Sequence, residues 1–415
     1  MTSKEIKALD AENVMQTYGR FDVVISRGEG ATLYSPEGTE FIDFTSGIGV
    51  NSIGYGNRKW ADAIYAQAQK LQHTSNLYYS EPYAKLASIL TQRTGMKNVF
   101  FSNAGGEANE GMIKLARKYS FDKYGRNRST IISLIQSFHG RTITTLSATG
   151  QEVFHNYFFP FTEGFEHVPA NDIDALEAHL DAQTAGAANI YGSSAIRFIP
   201  PPEGICAVLL ELIQGEGGVL PLDHDYVNEV AELCASRDLL LLVDEVQTGV
   251  GRTGSLFAFQ QYGIKPDVVS FAKGIAGGLP MGGIMANEKC SEVLTPGTHA
   301  TTFGGNPVAA AGAIEVLSQL DDAALSEVIK KGEYIREAIQ SWNIPVIGEI
   351  RGKGLMIGVS LVGITPKEIA QACAGEGLLI LTAGADALRM LPPLTIKYDE
   401  LDKGLAILKR VLGNR

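Results

Sequence analysis

Polar and apolar positions along the chain fall into two rhythms. In the middle third, short apolar runs stand between turn residues. Thr130–Ile135, Ala207–Leu212, Leu239–Val243 and Asp267–Ala272 each predict a strand. The run at Leu239–Val243 does not alternate, so both its faces are expected to be covered, as in a parallel sheet. Between the runs the period changes. From Glu107 to Tyr119, the positions Ala108, Met112, Leu115 and Tyr119 form one stripe at helical spacing. Alternation of this kind predicts an open α/β sheet covered on both sides. Such sheets bind ligands beyond the carboxyl ends of their strands. Asp244 and Lys273 fall at those ends.

The last hundred residues follow another pattern. Thr365-Pro366-Lys367-Glu368 reads as a helix start, with a capping-box spacing and proline at the first helical position. An apolar run, Leu378–Leu381, follows, and Leu401, Leu405, Leu408 and Leu412 mark a closing amphipathic helix. This predicts a smaller α+β domain. Near the start, Ala31–Tyr34 and Glu40–Phe44 read as strands around a Pro36–Gly38 turn, without a core of their own. The expected division is 1–54 as a segment packing on the small domain, 55–310 as a large domain and 311–415 as the small domain.

Composition narrows the function. The 415 residues exceed one small core, and two or three domains are expected. A net charge of -11 argues against a nucleic-acid partner. The four cysteines are scattered without a C-x-x-C pair, so buried free thiols are expected and no metal site. The start of the chain lacks a signal-type apolar core, and no apolar run reaches the roughly 18–20 residues of a membrane span. A cytoplasmic protein without membrane contact is expected.

Chemistry-bearing residues cluster at glycine-rich turns. Lys273 closes an apolar strand ahead of a glycine-rich loop, where desolvation would lower its pKa and free the amine to attack an aldehyde. Asp244 and Glu245 end the most apolar run, and a buried carboxylate there could hold a pyridine nitrogen protonated. Gln247 lies within reach of the same ring. Gly105 and Gly106 lead into a helix whose free N–H groups and dipole suit a phosphate. Thr301 and Thr302 could add hydroxyl donors. In the Gln136–Arg141 stretch, Phe138 could stack on a ring, Arg141 could clamp a carboxylate, and His139, a lone histidine, fits structural work.

The segments ELIQGEGG (211–218), LLLVDEVQTGVGRTG (240–254), VVSFAKGIAGGLPMG (268–282) and HATTFGGNP (299–307) stand in one order with one set of spacings. With them the chain resembles the class III, or ornithine-type, aminotransferases that use pyridoxal 5'-phosphate (PLP). The resemblance runs from YGRFDVVISRGEG to LRMLPPL. It implies PLP fold type I: a mostly parallel central sheet in a large domain, plus a smaller α+β domain. It implies Lys273 as the Schiff-base lysine and proton shuttle, Asp244 at the pyridine nitrogen, Gln247 at the phenolic oxygen and Phe138 on the ring. Glu245 and Val246 complete the cofactor wall, and Gly105 and Gly106 hold the phosphate. Thr302 would reach the phosphate of a neighbouring subunit, so a homodimer with shared sites is implied.

Within the family the chain is most similar to the N-acetylornithine group. That similarity implies Arg141, Thr301, Arg389 and Tyr18 as substrate contacts, and Glu216 as the partner that neutralises Arg389 when an amino donor is bound. The implied reaction passes the amino group of N2-acetylornithine to 2-oxoglutarate. Succinylornithine, ornithine or 4-aminobutyrate as donor, and an aminomutase of the glutamate-semialdehyde type, remain alternatives. Ile48 stands where ornithine-specific relatives carry tyrosine, which leans away from free ornithine. One departure is visible. The family pattern N-S-G-[T/A]-E-A reads Asn103-Ala104-Gly105-Gly106-Glu107-Ala108 here, with one hydroxyl fewer.

Overall fold

The computed structural model describes residues 1–190 and 204–415. Its centre is a seven-stranded sheet. In spatial order the strands are Asn98–Ser102, Gly282–Ala286, Val268–Phe271, Leu240–Asp244, Gly204–Leu210, Arg128–Leu134 and Phe165–Val168. Only Gly282–Ala286 runs against the rest, pairing antiparallel with both neighbours. The other contacts are parallel. All four strand runs expected in this region form strands, with ends shifted by one to three residues. The antiparallel strand was not foreseen, because its Gly282-Gly283 start continues the glycine-rich stretch and reads as loop.

Every residue of Leu240–Asp244 is buried, in keeping with an apolar run covered on both faces. Helix Gly105–Tyr124 lies across the sheet and buries Ala108, Met112 and Leu115, the stripe seen in the sequence. Burying Met112 and Leu115 stabilises the layer by roughly 1.5–3 kcal/mol each.

A second, four-stranded sheet joins the two ends of the chain. Arg27–Glu29, Thr32–Tyr34 and Glu40–Asp43 pair in sequence, and Leu378–Leu379 adds parallel to Glu40–Asp43. A third sheet orders Ile347–Lys353, Met356–Leu361, Ala387–Met390 and Leu381–Ala383. Helix Pro366–Gly375 starts after Thr365 as expected, but the threonine hydroxyl makes no capping bond. Its backbone carbonyl instead accepts from the Glu368 N–H at 3.1 Å. The closing helix, Tyr398–Gly413, buries Leu401, Leu405, Leu408 and Leu412. Glu400 on that helix reaches back to the start of the chain, accepting from the Ala31 N–H at 3.0 Å. Among the described residues no helix is long and apolar enough to cross a membrane.

Candidate active site

Lys273 and Asp244 come from neighbouring parallel strands, whose register pairs Asp244 with Ser270. Lys273 lies three residues beyond Ser270, in a turn where its backbone takes φ 45°. A non-glycine residue held in this left-handed region costs of order 1–3 kcal/mol and persists only where its surroundings impose it. Here the Ser46–Gly49 loop packs on the turn, and Ser52 Oγ donates to the Gly274 carbonyl at 2.9 Å. Lys273 Nζ has no hydrogen bond or salt bridge among the described residues. Burial lowers its pKa to about 8, with Arg389 adding to the fall and Glu216, Asp244 and Glu211 opposing it.

Asp244 is 4% exposed and tightly held. Oδ2 accepts from Asn109 Nδ2 at 2.7 Å and stands 2.9 Å from His139 Nδ1. Oδ1 accepts from the Val246 N–H at 3.0 Å. These contacts fix the carboxylate's direction and offset the cost of burying its charge. His139 is itself buried, with its ring packed against this carboxylate. Asn109 was missed by sequence reading. The available signal was its place four residues after Gly105, a polar residue among buried ones on the same helix.

The helix that carries Asn109 begins at Gly105 with no side-chain cap. The N–H groups of its first turn are therefore open to an anion in front of them. Gly105 is required here: a Cβ on it would stand 2.8 Å from Val246 Cγ1. Gly106 is freer, with only Thr142 Cγ2 at 3.6 Å from a Cβ. Phe138 is half-buried and packs edge-on against Phe154, with centroids 5.7 Å apart.

Arg389, close enough to Lys273 to act on its charge, is 2% exposed. Nη1 donates to Glu216 Oε1 at 2.6 Å and to Gln247 Oε1 at 3.1 Å. Burial works against the charge on Glu216, but the Arg389 guanidinium outweighs it and holds the carboxyl below its ordinary pKa. Arg389 Nε is buried without a hydrogen-bond partner among the described residues, a donor left over for a further carboxylate.

Other expected residues lie farther out. Arg141 is exposed, its guanidinium 4.1 Å above the Phe154 ring and 5.6 Å from the Phe138 ring. Thr301 Oγ1 accepts from Asn103 Nδ2 at 3.2 Å, and Thr302 is exposed. Tyr18 is 72% exposed, with the Arg20 guanidinium 5.6 Å from its ring. Glu245 turns its side chain away from this cluster: its carboxylate accepts from the Thr248 hydroxyl and from the Phe259 N–H at 2.7 Å.

A desolvated lysine at a strand end, a buried carboxylate beside it and an open helix N-terminus on one mostly parallel sheet define a PLP-dependent enzyme of fold type I. The class-III aminotransferase family matches residues 14–412, and the chain belongs to that family. The acetylornithine aminotransferase of Haemophilus ducreyi is 50% identical over 414 residues, covering 100% of both chains. That of Caldanaerobacter subterraneus is 43% identical, covering 96% of this chain and 97% of its own. Among solved structures, the ornithine aminotransferase of Toxoplasma gondii superposes with TM-score 0.90 at 30% identity, covering 100% of this chain and 95% of its own. The acetylornithine aminotransferase of Elizabethkingia anophelis gives TM-score 0.85 at 29% identity, covering 100% of both.

The residues present fit PLP. An unbonded amine, a fixed carboxylate and uncapped amides correspond to its aldehyde, ring nitrogen and phosphate.

Proposed function

We propose that this aminotransferase passes the amino group of N2-acetylornithine to 2-oxoglutarate, giving N-acetylglutamate semialdehyde and glutamate in arginine metabolism. The names of its curated relatives support the donor. The observation that carries the two-substrate reading is the Arg389–Glu216 pair at 2.6 Å beside Lys273. One pocket must accept a neutral acylamino donor and then a dicarboxylate. With Glu216 on Arg389 the pocket is nearly neutral. When Glu216 withdraws, the Arg389 guanidinium is free to pair with a carboxylate through parallel N–H groups of its planar fork.

In this reading the first-turn amides at Gly105 and Gly106 hold the phosphate, with Thr302 of the partner subunit beside them. Asp244 keeps the ring nitrogen protonated, Gln247 bonds the phenolic oxygen, and Phe138 and Val246 cover the ring. Glu245 supports this wall from behind. When bound, PLP supplies an aldehyde for the amino group and a ring that takes up electrons as a carbon loses its proton. Lys273 Nζ would take the proton from the donor's amine-bearing carbon and, in the second half-reaction, would deliver one to the 2-oxoglutarate carbon that receives the amino group. Arg141 and Thr301 line the approach for the acyl-amino acid end, with Tyr18 reaching a site only in an assembled dimer. The exposed apolar side chains of Leu77, Tyr78, Tyr79 and Phe303 suit burial in such a dimer.

Residues 55–310 are taken as the PLP-binding domain, 311–415 as the small domain, and 1–54 as the segment that pairs with it. A cytoplasmic setting suits four free, buried cysteines. A panel of acetylornithine, succinylornithine, ornithine and 4-aminobutyrate with 2-oxoglutarate tests the reading by kcat/KM. Acetylornithine should lead; a better value for ornithine or 4-aminobutyrate would overturn it.

A further inference from the structure

Glu211 follows directly on the Gly204–Leu210 strand. The register pairs Leu210 with Val243, so Glu211 and Asp244 extend neighbouring strands side by side. Glu211 is 5% exposed and forms no salt bridge among the described residues. Burial and the nearby Asp244 raise its pKa, against His139 and two N–H donors. A buried carboxylate next to another is costly, so its bonds show what it is kept for.

Each oxygen holds a different loop. Oε1 accepts from the Phe138 N–H at 2.7 Å, and Oε2 accepts from the Gly215 N–H at 3.1 Å. Phe138 is the proposed ring-stacking residue. Gly215 immediately precedes Glu216 and lies against Gln247, whose amide would stand 2.6 Å from a Cβ at that position. One side chain therefore fixes the loop over the cofactor and the loop that carries the partner of Arg389. Neither loop has another side-chain acceptor at these two amides among the described residues.

We propose that Glu211 is a positioning residue that sets Phe138 and Glu216 relative to each other, so that ring stacking and the Arg389–Glu216 switch share one anchor. The inference rests on the roles proposed above for those residues. A carboxylate is needed because both partners are donors. Glutamine offers one acceptor oxygen and would turn its NH2 toward the other N–H.

The test uses E211Q and E211D in the full-length protein, with PLP affinity read by titrating apoprotein and steady-state kinetics read for each substrate separately. In E211Q the PLP Kd should rise several-fold, and kcat/KM for the amino donor should fall about tenfold, the scale of one lost bond to a charged acceptor. The value for 2-oxoglutarate should change far less, because a loosened Glu216 leaves Arg389 free. E211D retains the charge but is one methylene shorter, and should recover part of both losses. Equal losses for both substrates with unchanged PLP affinity would overturn the proposal, as would wild-type behaviour. Hydrogen exchange on the wild-type holoenzyme needs no variant: the Phe138 and Gly215 amides should be among the slow ones, and fast exchange at both would also overturn it. A wrong choice of amino donor leaves the PLP and exchange results standing, so the two failures are distinguishable.

Discussion

Arg389 Nη1 lies 2.6 Å from Glu216 Oε1, and both belong to the cluster around Lys273. The two residues are 173 positions apart in sequence. In the proposed function, their pairing lets one site serve two substrates of different charge. Removing either partner should affect the two substrates unequally. In E216Q, kcat/KM for the amino donor should drop about tenfold, because Arg389 is left without its counter-charge. The value for 2-oxoglutarate should hold or improve. In R389A the dicarboxylate should suffer more. Equal losses for both substrates in both variants would refute the switch.

Lys273 is expected to be indispensable. K273A should lose transamination by more than about a hundredfold, the lower range for a missing proton-transfer group. PLP binding should persist, since phosphate and ring contacts remain. Borohydride reduction of the wild-type holoenzyme, followed by peptide mapping, should place the pyridoxyl label on the Lys273 peptide. A label elsewhere would refute the assignment.

The depressed pKa of Lys273 has a consequence for the apoprotein. Unfolded, the amine keeps its proton up to the ordinary 10.5; folded, only to about 8. Between those values the unfolded chain binds more protons, so stability rises with pH. Below about 8 the penalty is present in full. Apo K273M should therefore melt higher than apo wild type at pH 7. Their difference should narrow as pH rises from about 8 towards 10.5, which thermal melts across that range will show.

The turn proposed to hold the phosphate offers a contrast between adjacent glycines. G105A places a methyl group 2.8 Å from Val246 Cγ1. Overpacking of this kind costs about 1–3 kcal/mol, and both PLP affinity and melting temperature should fall. G106T meets only Thr142 Cγ2 at 3.6 Å from its Cβ and places a hydroxyl by the anion site. Its PLP affinity should equal or exceed that of wild type. Titration of the two apoproteins with PLP decides the matter.

Much of this arrangement is legible in the sequence. Unbroken apolar runs give the central strands, because a strand covered on both faces cannot alternate. The 3.6-residue stripe gives helix Gly105–Tyr124 and the closing helix. Asp244 and Lys273 stand out because each ends such a run, where an open α/β sheet exposes its ligand-binding edge. Local spacing carries all of this, since strand and helix periods are properties of neighbours.

Convergence of distant residues is decided only by the tertiary structure. Asn109 and His139 meet Asp244 from 135 and 105 positions away, and neither period nor motif shows that they share one carboxylate. Glu211 and Glu245 are both carboxylates at strand ends, yet one holds two loops beside the site and the other turns to Thr248 and Phe259. The direction of each follows from strand register and the pleat, which alternate side chains between the two faces of a sheet. The antiparallel Gly282–Ala286 strand is likewise hidden in a glycine-rich stretch, because what makes it a strand is two neighbours' hydrogen bonds rather than its own side chains.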